Sequence, residues 1–417
     1  MKKHLKVTRL FASTVLLAFI FLMSCSKDDS PDPIAEMDTL LITASSTSIE
    51  EGEAVQFAVT VNNVTVSDAV IYVEGATIAN YEHAFVQAGT YRVMAKKEGY
   101  QDSAEVTITV IEEQIDIYVA GYETINGKQV ATYWKNGVPQ PLSDGTSNSE
   151  STALVVHNSD VYVLVEDGYA LKYWKNDQEN IIYNQLGTYG NARDMMVTEN
   201  GDVYIAGSRP VGGAAVATYW KNGVATSLIH DNYSYATGIA ISGNDVYVSG
   251  FSTETNTGSS KPIALYWKNG VPVTLTDGSL YGYATKLAVV GNDVHVVGYE
   301  HDEVGNWSAR YWKNGVVIPL PNGVDASDIF MVGDDAYVVG RAGQTVKYWK
   351  NGVHVEVGPG HFVYGITVFN NNVYTAGSFG TEDSNNQRAV YWKNSTMTIL
   401  SDDTASASAH AIVVVGR

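Results

Sequence analysis

One phrase constrains this chain more than anything else in it. YWKNG begins at Tyr133, Tyr219, Tyr266, Tyr311 and Tyr348, and returns as YWKND at Tyr173 and YWKNS at Tyr391. From Trp134 to Trp392 the steps between successive phrase tryptophans are 40, 46, 47, 45, 37 and 43 residues. A period of this size, built from strands, points to a β-propeller and away from a helical solenoid.

Ala284–Leu320 shows one copy in full. Its spacing predicts a first strand over Thr285–Val290, a polar turn, and a second strand over Val294–Tyr299. A third strand follows at Ala309–Trp312. Asn314-Gly315 then supplies the positive φ angles of a type I′ hairpin into a fourth strand, Val316–Leu320. Adjacent strand residues point to opposite faces, so Tyr and Trp of the phrase each face a different neighbouring blade. Burying one such tryptophan contributes roughly 5 kcal/mol at most. The phrase therefore reads as a packing pair fused to a hairpin turn, a structural mark and not a ligand box.

Second strands are expected to begin at Ile115, Val161, Val203, Val246, Val294, Ala336 and Val373. First strands are expected near Thr152, Arg193, Thr237, Thr285, Ser327, Tyr364 and His410. The repeats open on a second strand and the chain ends on a first. His410–Val415 is therefore expected to complete the blade begun by Ile115–Gly121, which closes seven blades and leaves no exposed inner edge.

Residues 39–113 read differently. Val55–Val61, Ala69–Gly75, Thr90–Lys96 and Ala104–Val110 alternate with period two and are separated by turn residues, which predicts a small β-sandwich. Ahead of it, Lys2, Lys3, Lys6 and Arg9 precede an apolar run from Leu10 to Met23, the pattern of a secretory signal over residues 1–24. The run is too short to span a bilayer as a helix. Residues 25–38 are polar and acidic, a flexible tether or an export tag. Loss of residues 1–24 removes four basic side chains and no acidic one. That leaves 22 basic against 45 acidic residues, a charge of −23 that repels nucleic acid and anionic lipid.

Three resemblances add to this reading. Leu22-Met23-Ser24-Cys25 resembles the lipobox of bacterial lipoproteins, which implies acylation at Cys25 and an outer-membrane anchor, with the acidic segment similar to the export tag of surface-exposed lipoproteins. AGTYRVMAKKEGY, from Ala88, resembles the late strands of bacterial Ig-like modules. ALYWKNGVPVTLTDGSLYGYATKLAVVGNDVHVVGY, from Ala264, resembles extracellular repeats of the HAF type and, distantly, kelch blades; it implies an extracellular propeller and brings no catalytic residue. The HAF His-Ala-Phe lead and the kelch double glycine are absent. The expected fold is all-β, an Ig-like β-sandwich followed by a seven-bladed propeller over residues 114–417.

Chemistry is sought where the repeat varies. The loops into the first strands gather Tyr233, Tyr235, Tyr281, Tyr283, His361 and Tyr364, with Arg193, Asp194, Lys286, Asp328 and His410 beside them. Aromatic faces next to hydrogen-bonding groups suit sugars or peptide side chains. The opposing reading is that these tyrosines pack between loops. His295 stands where six second strands carry tyrosine and is expected to make the hydrogen bond of that hydroxyl. Asp194, Asp328 and His410 are a candidate acid/base trio, although any ring of loops offers one. No catalytic, cofactor or metal motif is present, so neither cofactor nor metal is expected. The expected role is non-enzymatic binding of an extracellular glycan or protein at the cell surface. The alternatives are a propeller lyase or glycoside hydrolase, or a structural component of a surface assembly; oligomeric state is left open.

Overall fold

The computed structural model describes residues 37–112, 114–168, 170–184, 190–228, 233–253, 261–380, 387–402 and 405–417. The signal segment, Cys25 and nearly all of the tether lie outside these residues. Every regular element among the described residues is a strand, and the chain divides into two compact units between Ile111 and Glu112.

The first unit has two sheets. One pairs Leu41–Ala44, Ala54–Val61 and Val64–Thr65, with Glu82–Ala84 also bonded to Ala54–Val61. The other runs Ser48–Glu50, Val106–Ile111, Gly89–Lys96, Val70–Val73, Ala76–Thr77. Alternate residues such as Val55, Phe57 and Val59, and Val93, Ala95, Ile108 and Val110, form one buried cluster with Ile71 and Phe85. A half-buried strand of period two produces this burial.

The second unit contains seven four-stranded antiparallel sheets, here numbered I to VII. Sheet I joins Ile115–Ile125, Lys128–Lys135 and Val138–Pro141 to the C-terminal Ala407–Gly416. The innermost strands of sheets II to VII are Ser149–His157, Asn191–Val197, Tyr233–Ser242, Tyr281–Val290, Asp325–Val332 and Phe362–Phe369. Of seven buried clusters, six each join two consecutive sheets and one joins VII to I. The sheets therefore form a closed cycle, which is the arrangement of a β-propeller.

The repeated phrase explains this packing. Trp267 of sheet IV lies in the cluster with sheet III, whereas its neighbour Tyr266 lies in the cluster with sheet V. The same division holds in every sheet. The phrase tryptophans are fully buried except Trp174 of sheet II, which is half-buried. Asn and Gly of the phrase take positive φ, as in Asn314 at 51° and Gly315 at 79°.

Lys and Asn of the phrase then clamp the start of the second strand. In sheet IV, Asn269 Oδ1 accepts from the Val246 N–H at 2.9 Å and its Nδ2 donates to Asp245 at 2.7 Å. Lys268 bonds the other Asp245 oxygen at 2.9 Å and lies 5.1 Å over the Tyr247 ring. Five other sheets repeat this with Asp116, Asp160, Asp202, Asp293 and Asp335. Sheet VII uses Asn372. In sheet V the buried His295 replaces the tyrosine and its Nδ1 lies 2.6 Å from the Tyr311 hydroxyl.

First strands begin earlier than the residue pattern predicts. In sheet V the strand starts at Tyr281, not Thr285, because a β-bulge lets pairing continue through an extra residue. The bulge recurs in all seven innermost strands, at Thr152, Arg193, Thr237, Thr285, Ser327, Tyr364 and His410. Six of the seven sheets carry a glycine beside the bulge on the second strand, and sheet II forms its bulge beside Val165. A Cβ on Gly298 would sit 1.9 Å from the Tyr283 carbonyl oxygen, and Gly121, Gly207, Gly250, Gly340 and Gly377 meet equivalent oxygens at 1.9 to 2.1 Å.

Candidate functional site

The clamps and the bulges occupy opposite ends of the sheets. Strands alternate in direction, so second-strand starts and third-strand ends share one end, and first-strand starts lie at the other. At that other end a cavity of about 430 Å³ opens. All seven bulged residues line it, together with Glu150, Lys286, Tyr299, Asp325 and Ala326. A bulge re-aims the side chain it displaces, and here the seven displaced side chains form one ring.

Three of the seven are hydroxyls fixed to the next sheet. Thr152, Thr237 and Thr285 each donate to a carbonyl of the next sheet, at Ala192, Ala284 and Ala326, over 2.7 to 2.8 Å. His410 makes the corresponding bond, 3.2 Å from Nδ1 to the Ser151 carbonyl. A carbonyl only accepts, so Nδ1 carries the proton and Nε2 is left as the base. Burial pushes the imidazole pKa down despite Glu150, which keeps the ring neutral.

The rest of that arc is charged and aromatic. Glu150 lies 3.7 Å from Arg193 and 3.8 Å from His410. The Tyr364 ring meets His410 edge-on at 4.9 Å, and burial raises its hydroxyl to about 12. Across the cavity, Asp325 is held by two Arg341 nitrogens.

Below the mouth, a second cavity of about 400 Å³ follows the innermost strands, lined by Asp194, Lys286 and Asp328 among others. Lys286 donates to Asp194 at 2.7 Å. Asp194 also accepts from the Met195 and Ile239 amides, and Asp328 from those of Ile329 and Ile366. Burial opposes the Lys286 charge, but the Asp194 and Asp328 carboxylates outweigh it and its pKa rises. Burial raises the Asp328 pKa, with Lys286 and the two amides opposing. These carboxylates are tied to backbone in the next sheet and form a floor.

Of the residues singled out in the sequence, Arg193, Lys286, Tyr364 and His410 therefore meet in the mouth, and Asp194 and Asp328 lie beneath it. Tyr233, Tyr235, Tyr281, Tyr283 and His361 line neither cavity. The physical reason is the bulge, which places the four tyrosines inside first strands and not in loops. Tyr235 stacks on Phe251 at 5.0 Å, Tyr281 on His301 at 4.6 Å and Tyr283 on Tyr299 at 5.0 Å. The His361 carbonyl accepts from Arg341 and its ring packs on Phe362. Glu150, Thr152, Thr237, Thr285, Ser327, Tyr299 and Asp325 were not among the sequence candidates for the site. Most are marked only by following or preceding a small residue at a first-strand start.

No sequence profile of a known family matches the chain, and no curated protein matches it. Among solved structures, TolB from Acinetobacter baumannii is similar with a TM-score of 0.46 at 9% identity, over 78% of this chain and 80% of that one. A quinoprotein alcohol dehydrogenase-like protein from Bacteroides thetaiotaomicron aligns with a TM-score of 0.41 at 10% identity, over 88% and 95% of the two chains. Virginiamycin B lyase from Staphylococcus aureus gives 0.41 at 15% identity, over 64% and 91%. At these values none of them assigns a role to a residue here.

Proposed function

We propose that the protein is an outer-membrane lipoprotein, acylated at Cys25 and facing the cell exterior. In chain order it carries an Ig-like module and a seven-bladed propeller closed by its own C-terminal strand, and the propeller mouth binds an extracellular glycan or protein. The observation behind the binding role is the ring of bulged residues. Four of its seven members are hydroxyl residues, and the other three, Arg193, Tyr364 and His410, bring charge, an aromatic face and an imidazole to one arc of the same cavity. Such a wall, half hydroxyl and half charged or aromatic, suits a polar ligand with an apolar face. The acidic field of the chain argues against nucleic acid as that ligand. The test uses protein carrying Cys25→Ser, screened on glycan and peptide arrays, with Arg193→Ala and Tyr364→Ala as site variants. Binding that both variants leave unchanged would remove the mouth from consideration.

A second reading is favoured by one observation. The neutral His410, Tyr364, Arg193 and Glu150 converge as a base, a hydroxyl, a cation and a carboxylate around one space. That set fits acid/base cleavage of a bound glycan by a lyase or hydrolase. Product analysis of every ligand found in the screen decides it. Turnover by the wild type that is lost in His410→Gln places the protein among enzymes, and intact ligand keeps it a binder.

A further inference from the structure

Seven of the eight tryptophans belong to the repeated phrase; Trp307 does not. It is 45% exposed, at the mouth end of sheet V. Tyr281, His301 and Trp307 are directly opposite one another on the first three strands of that sheet. Directly opposite residues share a face. Their rings form a stack, with centroids 4.6 Å apart at both steps and interplanar angles of 4° and 26°.

The two ends of this stack differ. At the inner end, Lys261 Nζ lies 5.4 Å over the Tyr281 ring. At the outer end, the fourth strand stops at Pro319, opposite Arg310, and the chain after it returns to the third strand at Ala309, whose N–H donates to the Gly323 carbonyl, so among the described residues no fourth-strand residue lies opposite Trp307. The stack is also held rigid. His301 Nδ1 lies 3.0 Å from the Asp302 carbonyl. Asp302 in turn accepts from the Val304 and Asn306 amides and the Asn306 side chain, which pins the short loop before Trp307. A binding surface fixed in advance loses little entropy when occupied. Tyr299 lines the mouth cavity and also packs on Trp307, with centroids 5.0 Å apart, so the platform and the mouth are continuous.

We propose that the open face of Trp307 is a stacking subsite for a neutral pyranose ring, and that the ligand is a linear glycan extending from this platform into the mouth. The inference rests on the mouth-binding reading above. A flat, exposed ring face takes the C–H face of a sugar while the sugar hydroxyls stay in water. A peptide aromatic anchor would call for an enclosing pocket. An excess of 19 acidic over basic residues in the whole chain disfavours an anionic sugar. Glu303, exposed beside the platform and 3.1 Å from Lys261, offers an acceptor for sugar hydroxyls.

The test titrates the Cys25→Ser protein with neutral hexasaccharides of β-1,4-linked glucose, mannose, xylose and galactose, and with their monosaccharides. It also follows oxidation of Trp307 by mass spectrometry. At least one hexasaccharide should bind more tightly than its monosaccharide and protect Trp307 from oxidation. Trp307→Ala should weaken that binding about tenfold, and Trp307→Phe less. Loss of affinity in Arg193→Ala but not in Trp307→Ala overturns the subsite and leaves the mouth reading intact. Loss in Trp307→Ala alone supports the subsite and removes the mouth. Binding of peptides and of no hexasaccharide overturns the glycan assignment.

Discussion

The two ends of the second unit carry the same number of equivalent positions and use them in opposite ways. At one end, seven clamps repeat Tyr, Trp, Lys and Asn without exception. At the other, seven bulged positions carry threonine three times and serine, arginine, tyrosine and histidine once each. Each clamp solves one local problem, sealing two inter-sheet faces and capping the start of a second strand. Since the problem is the same in each sheet, so is the answer. The bulged residues are placed by backbone pairing, to which Thr152, Thr237, Thr285 and His410 add a side-chain bond to the next sheet, so chemistry can vary there more freely than in the clamps. Sheet II departs from the others at both ends. It has Val165 where six sheets have the glycine, Asp177 in place of the turn glycine, and the only half-buried phrase tryptophan.

The strongest way to break this picture is to open the cycle. Deleting Ala407–Arg417 removes the inner strand of sheet I, including the buried Ala409, Ile412 and Val414, and uncovers sheets VII and II. We expect a loss on the order of 5 kcal/mol or more, which is comparable to the whole stability of a domain. A thermal melt within a degree or two of the full chain would contradict closure by the C-terminal strand.

Next come the tryptophans. Trp267→Ala should cost roughly 3–5 kcal/mol, because a fully buried ring leaves a cavity between two sheets. Trp174→Ala, starting from a half-buried ring, should cost about half as much. Denaturant melts that rank the two variants the other way would show that sheet II is no weaker than the others.

The sequence made the period, the strand count of one blade and the opposed roles of Tyr and Trp legible, because a packing problem repeated in every sheet writes itself into the chain each time. The site was only partly legible. A bulge inserts one residue and leaves no compositional trace beyond a small residue such as Ala192 or Ala284 just before it. Tyr281 and Tyr283 therefore read as loop residues and proved to be strand residues. Asp194 and Asp328 read as polar ligands for a partner, whereas they accept amides from the next sheet. Trp307 was obscured by the seven tryptophans that share its residue type but not its surroundings.

Acid separates the sheets by their clamps. Asp116 loses some favourable hydration through partial burial. Hydrogen bonds from Asn136, Lys135 and Arg417 outweigh that and hold its pKa at about 2. Lysine first lowers Asp160, Asp202, Asp293 and Asp335, and Asn269 first lowers Asp245. A carboxylate with a depressed folded pKa stabilises fully above its unfolded value of about 4, and that stability is lost as pH falls through the folded value. The melting temperature should therefore drop between about pH 4 and pH 2. Asp116→Asn, which mimics the asparagine already present at Asn372, should make that drop shallower. An unchanged profile would mean that this clamp adds nothing to stability.

The smallest expected effect on stability belongs to the mouth, and it is the sharpest form of the comparison. Arg193 sits on a bulge, its side chain is about half exposed, and its nearest carboxylate, Glu150, is 3.7 Å away. That separation is an ion pair without a good hydrogen bond, and exposed pairs contribute about 0–1 kcal/mol. Arg193→Ala should therefore leave the melt within about 0.5 kcal/mol of wild type. The backbone that holds the bulge remains, since Gly207 and the buried Ala192 set the close approach and not the arginine. The same variant should weaken a mouth ligand by about 1–3 kcal/mol through the loss of a charged donor. Lys268→Ala at the clamp end is the matched control, expected to alter the melt and leave affinity unchanged. Paired melts and calorimetric titrations of the two variants read both axes at once. If Arg193→Ala moves stability as much as Lys268→Ala does, the bulged positions belong to the frame, and the division of labour between the two ends fails.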